Sequence, residues 1–122
     1  MKKLFVCISH TMTSEQEQGW EQITLVSSDV KKRTSQISPM ATLDEIKKLA
    51  SEVVSEAVAC GATHILCAGE PTLALHVALQ AHGLGIVPTQ STTRRESQDV
   101  VQPDGSILKT AVFKHVQWRD MF

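Results

Sequence analysis

The chain has 122 residues, 42% of them apolar, and a formal net charge of −1. That supports one domain, 1–122, with a real core, and leaves no room for two. A near-neutral balance excludes a broad basic surface, so long nucleic acid is not an expected partner and any anion site must be a local concentration of charge.

In chain order, "KLFVCIS" (3–9) reads as a buried first strand. Its apolar run is too short for a membrane span or a signal-sequence core, so no membrane is expected. "TSEQ" (13–16) has the capping-box pattern, with Thr13 as N-cap and Gln16 reaching back, and opens a short helix ending near Gly19. "QITLVSS" (22–28) reads as a second strand. The segment 29–41 is polar, contains Pro39 and lacks periodicity, and is expected as a loop over the active face. A second capping box, "TLDE" (42–45), precedes apolar residues at Ile46, Leu49, Ala50, Val53, Val54, Ala57 and Val58, a 3.6-residue stripe stopped by Gly61.

"HILCAG" (64–69) reads as a third strand, and Pro71 suits the first turn of a helix running to Gly83. That helix is apolar almost all round, which argues burial on more than one side and a homodimer using it or the chain's end. "GIVPT" (85–89) reads as a fourth strand. Beyond the polar run "QSTTRRES" (90–97), Pro103-Asp104-Gly105 marks the turn of a long antiparallel hairpin. Cys7, Cys60 and Cys67 are odd in number, show no C-x-x-C spacing, and read as reduced thiols of a cytoplasmic protein. No metal site is expected from them. Strands alternating with helices give the expected fold class: a single α/β domain. It has a mostly parallel sheet, helices on both faces and a C-terminal antiparallel β-hairpin.

Ligands of open parallel sheets bind beyond the carboxyl ends of the strands. Three segments fall on that rim: Ser9-His10-Thr11, Gly69-Glu70-Pro71-Thr72, and Ser91 to Arg95 with Thr92, Thr93 and Arg94 between. Hydroxyls, helix-terminal amides and guanidinium groups suit a phosphate ligand. There is no G-x-G-x-x-G, Walker loop or carboxylate cluster, so no dinucleotide, ATP or magnesium site, and no cofactor, is indicated. Each group has a plain structural alternative. His10 could cap the next turn, Glu70 could serve the positive end of its helix, and Arg94 and Arg95 could be a solvated pair. Lys114 and His115 alternate faces on the last strand, so at most one lines a given pocket. His64, His76 and His82 read as packing or surface residues, and Trp20 and Trp118 as core or interface residues, with base stacking left open for Trp118 near Lys114.

Ser9-His10 followed by Thr13 and Gln16, then Gly69-Glu70, then Ser91-Thr92-Thr93-Arg94-Arg95, then Phe113-Lys114-His115-Val116 form an ordered set spanning most of the chain. The set resembles a family of small CRISPR-associated (Csx-type) accessory proteins of type III systems. Glu70 stands where that family usually has Asp. The resemblance implies a dimeric ring nuclease with a Rossmann-like (CARF-like) fold. It would degrade the cyclic oligoadenylate second messenger of type III CRISPR antiviral signalling, cyclic tetra-adenylate in particular, without a metal. It further implies attack by a ribose 2′-hydroxyl on the adjacent phosphorus, giving linear products with 2′,3′-cyclic phosphate ends. On this reading His10, Glu70, Arg94 and Arg95 are catalytic. Ser9, Thr11, Gly69, Thr72, Ser91, Thr92, Thr93, Lys114 and His115 bind the ring. Two other classes share the same rim chemistry: a module that binds cyclic oligoadenylate without cutting it, and a mononucleotide-binding α/β domain.

Overall fold

The computed structural model describes residues 1–8 and 11–122. Among these, five strands form one sheet in the order β2-β1-β3-β4-β5. The first three are β1 (Lys3–Val6), β2 (Gln22–Leu25) and β3 (His64–Leu66); the other two are β4 (Val87–Val101) and β5 (Ile107–Asp120). The first four run parallel and β5 is antiparallel to β4. The helices are α1 (Ser14–Glu17), α2 (Ser28–Ser35), α3 (Leu43–Ala59) and α4 (Pro71–Gly83).

Helix formation follows local chemistry. Thr13 and Gln16 make both halves of a capping box at α1, and Thr42 caps α3 by accepting from the Glu45 N–H. The α3 stripe buries Ile46, Ala50, Val53, Val54 and Ala57 against the sheet and α4. This side holds the larger core, with Phe5, Ile65, Leu73 and Val77 in it. A smaller cluster of Leu4, Val6 and Leu66, joined by Met12, Trp20 and Trp118, fills the opposite face beneath α1. The fold is therefore the expected α/β architecture with helices on both faces. Its chain reverses between β1 and β3, because β2 lies on one side of β1 and β3 and β4 on the other.

Three expectations need correction. Residues 29–41 are not all loop: Ser28–Ser35 is helical, capped by the Ser27 hydroxyl, which accepts from the Val30 N–H. Arg33 ties α2 to α3 by pairing with Glu52 at 2.6 Å and with Asp29 at 2.9 Å. The Glu52 contact is tertiary and the Asp29 contact a local i,i+4 pair; periodicity missed the element because Val30 is its only buried residue. Strand four does not end at Thr89. It continues through "QSTTRRES" as one 15-residue strand, because β5 supplies a ladder partner for that whole polar run. The first strand stops at Val6, before Ser9. In α4, Leu73, Val77, Ala78 and Ala81 face the core of the single chain, while Leu75 and Leu79 are exposed on its other side. No helix among the described residues is long and apolar enough to cross a membrane.

Candidate functional site

The reversal point of a doubly wound sheet opens a crevice at the carboxyl ends of its strands. Here a cleft of about 380 Å³ lies there, lined by Cys7 and Ile8 after β1, Ala68-Gly69-Glu70 after β3, and Thr34 and Ser35 of α2. Gly69 takes φ +96°, a conformation that lets the chain turn from β3 into α4. Glu70 is the N-cap of α4, and its carboxylate accepts from the Leu73 N–H at 2.8 Å. That bond, with help from Thr72, holds the Glu70 carboxyl below the usual carboxylate range. The positive end of α4 is thus already matched by a carboxylate of its own chain, and the cleft is no ready anion cradle. Burial pushes the Cys7 thiol up, and pushes Cys67 up to about 12, so neither is an activated nucleophile. A second cleft, about 510 Å³, is lined by Thr11, Met12 and Glu17 on one side and Ile23, Leu25 and Lys31 on the other.

The polar run takes its place through β4. Leu66, the last residue of β3, lies opposite Thr89, so from Gln90 onward β4 rises past the carboxyl rim with β5 beside it. Side chains alternate along β4, placing Ser91, Thr93 and Arg95 on one face and Thr92, Arg94 and Glu96 on the other. Across the ladder Ser91 faces Trp118, Thr93 faces His115 and Arg95 faces Phe113, while Arg94 faces Lys114. A register shift between Thr92 and Thr93 leaves Val116 as an extra residue on β5. Without this bulge His115 and Trp118, three residues apart, would point to opposite faces. With it both stand beside Ser91, their rings 5.3 Å apart.

The result is a hydrogen-bonded cluster from three distant segments. Ser91 Oγ lies 2.5 Å from His115 Nδ1. The Gln16 Nε2 amide donates to the same Oγ at 3.2 Å, and the Trp118 indole N–H donates to the Gln16 carbonyl at 3.1 Å. Trp118 also packs edge-on against Trp20 at 5.4 Å, which anchors the cluster in the smaller core. On the opposite face Lys114 pairs with Glu96 at 3.2 Å, close to Arg94. As alternation requires, Lys114 and His115 part company.

Of the residues singled out from sequence, Ser91, Thr93, Arg95 and His115 share one face, and Thr92, Arg94 and Lys114 the other. Thr92 serves the ladder, its hydroxyl donating to the Gln117 carbonyl. Gly69, Glu70 and Thr72 belong to the turn into α4. Ser9 and His10 lie outside the described residues. Gln16 and Trp118 are the members missed from sequence. Gln16 showed as a capping-box residue and as a member of the ordered motif set, without a role of its own, and Trp118 as an aromatic. Among the described residues no group of three or more His, Cys, Asp and Glu side chains is placed to hold a metal ion.

Residues 2–119 match the uncharacterized protein MJ1673 family, and the chain belongs to it. No curated protein and no solved structure matches the chain.

Proposed function

We propose that this member of the family is a metal-independent ring nuclease acting on cyclic oligoadenylate, cyclic tetra-adenylate first among them, in type III CRISPR signalling. One observation carries the reading. Gln16, Ser91 and His115, one from each of three sequence motifs far apart in the chain, are hydrogen-bonded together. Arg95 stands on the same face of the hairpin as Ser91.

In this reading the ring lies over the carboxyl rim, against the face of the hairpin that carries Ser91, Thr93, Arg95 and His115. A ribose 2′-oxygen attacks the adjacent phosphorus in line, the new 2′-O–P bond forms and the P–5′-O bond breaks. A base takes the 2′-hydroxyl proton and the leaving 5′-oxygen receives one; His10 is the first choice for that proton traffic. Arg95 binds the charge that develops on the phosphoryl oxygens, and Ser91 and Thr93 help to hold the phosphate. Arg94 and Lys114, on the other face, serve flanking phosphates or a neighbouring subunit. Glu70, committed to capping α4, drops from proton carrier to structural support. A homodimer would place two such hairpins around a ring of matching two-fold symmetry.

The test is incubation of purified protein with labelled cyclic tetra- and hexa-adenylate in EDTA, with product analysis. Linear products ending in 2′,3′-cyclic phosphate are expected. Intact ligand recovered from a tight complex identifies a binding module instead, a reading that the capping role of Glu70 favours. Failure of the cyclic ligands to compete with a mononucleotide counts against both.

A further inference from the structure

We infer that Gln16 is a positioning residue that fixes His115 as the Nε2–H tautomer, making His115 a stationary hydrogen-bond donor toward an anion rather than a proton-transfer group. Donors and acceptors pair off along one chain of bonds. An amide has one oxygen that only accepts and one nitrogen that only donates. The Gln16 oxygen is taken by the Thr13 N–H at 2.9 Å, the return half of the capping box. Its nitrogen is therefore the group facing Ser91, at 3.2 Å.

Ser91 Oγ thus accepts from Gln16 and has one proton of its own to give. His115 Nδ1 is the other partner the described residues offer it. Oγ has a second lone pair, but its own proton has no other acceptor among the described residues, so the arrangement that uses that proton has Nδ1 accepting, and the neutral ring then carries its proton on Nε2. Among the described residues Nε2 has no partner. A local folding device, a capping box at a four-residue helix, thereby sets which atom of a histidine 99 positions away (115 − 16) bears a proton. A neutral imidazole gives up its N–H proton too reluctantly to act as an acid near neutrality. It can still donate a fixed hydrogen bond to a phosphoryl oxygen as charge builds there. This role at phosphate rests on the phosphodiesterase reading; the tautomer does not.

Gln16→Glu tests both parts. A glutamate still accepts from the Thr13 N–H, so the capping box and α1 persist, but it offers Ser91 an acceptor in place of a donor. The Ser91 hydroxyl then turns to the carboxylate, and His115 must donate from Nδ1. Two-bond nitrogen–proton correlation spectra of the full chain at pH 8, with His115 assigned from a His115→Gln variant, read the tautomer. Wild type is expected to show Nε2–H, and Gln16→Glu to show Nδ1–H. Nδ1–H in wild type, a result that needs no variant, overturns the inference. So does an unchanged tautomer in folded Gln16→Glu. With cyclic tetra-adenylate in EDTA, losing one correctly aimed donor should lower kcat about 100- to 1,000-fold with KM unchanged. A switched tautomer with unchanged kcat overturns the donor role. A wild type that shows Nε2–H but cuts nothing sinks the nuclease reading and leaves the positioning of His115 standing.

Discussion

From Val87 to Thr89, β4 lies against β3 and both Pro88 and Thr89 are buried; from Thr93 to Val101 it has β5 beside it and most side chains meet solvent. One continuous strand thus belongs to two environments. The lower part is fixed by a core that Phe5, Val53, Ile65 and Val77 fill from the α3 and α4 side. The upper part is a two-stranded arm, and such arms are only marginally stable in water on their own. Its polar residues are free of packing duty, which is what a binding surface needs. Its apolar tip, with Val101 72% and Ile107 62% exposed, has no cover within the described chain.

The contrast can be broken by substitution. Phe5, 1% exposed at the centre of the sheet, should lose about 3–5 kcal/mol on change to Ala, read as a lower urea midpoint with an unchanged slope. A loss below about 1 kcal/mol would mean that the lower half is not the packed one. Thr42→Ala removes the hydroxyl that caps α3 and should cost about 1 kcal/mol in the same measurement.

Glu70 sharpens the comparison through pH. Its carboxyl is held below the ordinary range when folded, so its contribution is present above the unfolded value of about 4.3 and is lost as pH falls through the lower folded value. Gln at this position still accepts from the Leu73 N–H but does not titrate. The urea midpoint of Glu70→Gln should therefore fall less steeply than wild type below about pH 4.3. An identical acid limb would remove Glu70 from the stability of the rim. The smallest effect belongs to the arm. Val101→Thr with Ile107→Thr should change stability by no more than about 0.5 kcal/mol per site. If the tip joins two copies, the same variant should shift the mass measured by light scattering from dimer to monomer.

Legibility followed the same division. The periodic stripe from Ile46 to Ala57 and the capping residues Thr13 and Thr42 named α1 and α3 from sequence, and Pro103-Asp104-Gly105 named the hairpin turn. Each of these is a local rule: a side chain satisfying a backbone group three residues away, or an apolar face repeating every turn. "SDVKKRTS" gave no apolar stripe, because Val30 is its only buried residue, and α2 is joined to α3 by polar contacts of Arg33 with Glu52 and of Ser27 with Glu56.

By itself, the sequence determined the alternation of strands and helices, α2 apart, and the core stripe of α3, since those rest on patterns within a few residues. Tertiary structure alone decided that "QSTTRRES" is strand rather than loop, because a polar run becomes a strand only when another strand takes up its backbone bonds. It also decided that Arg95 and Arg94 part to opposite faces, and that the bulge at Val116 turns His115 toward Ser91 and Gln16. The turn at 103–105 sets where the β4–β5 ladder starts, but the bulge between Thr92 and Thr93 shifts its register, and no periodicity in the sequence marks that bulge.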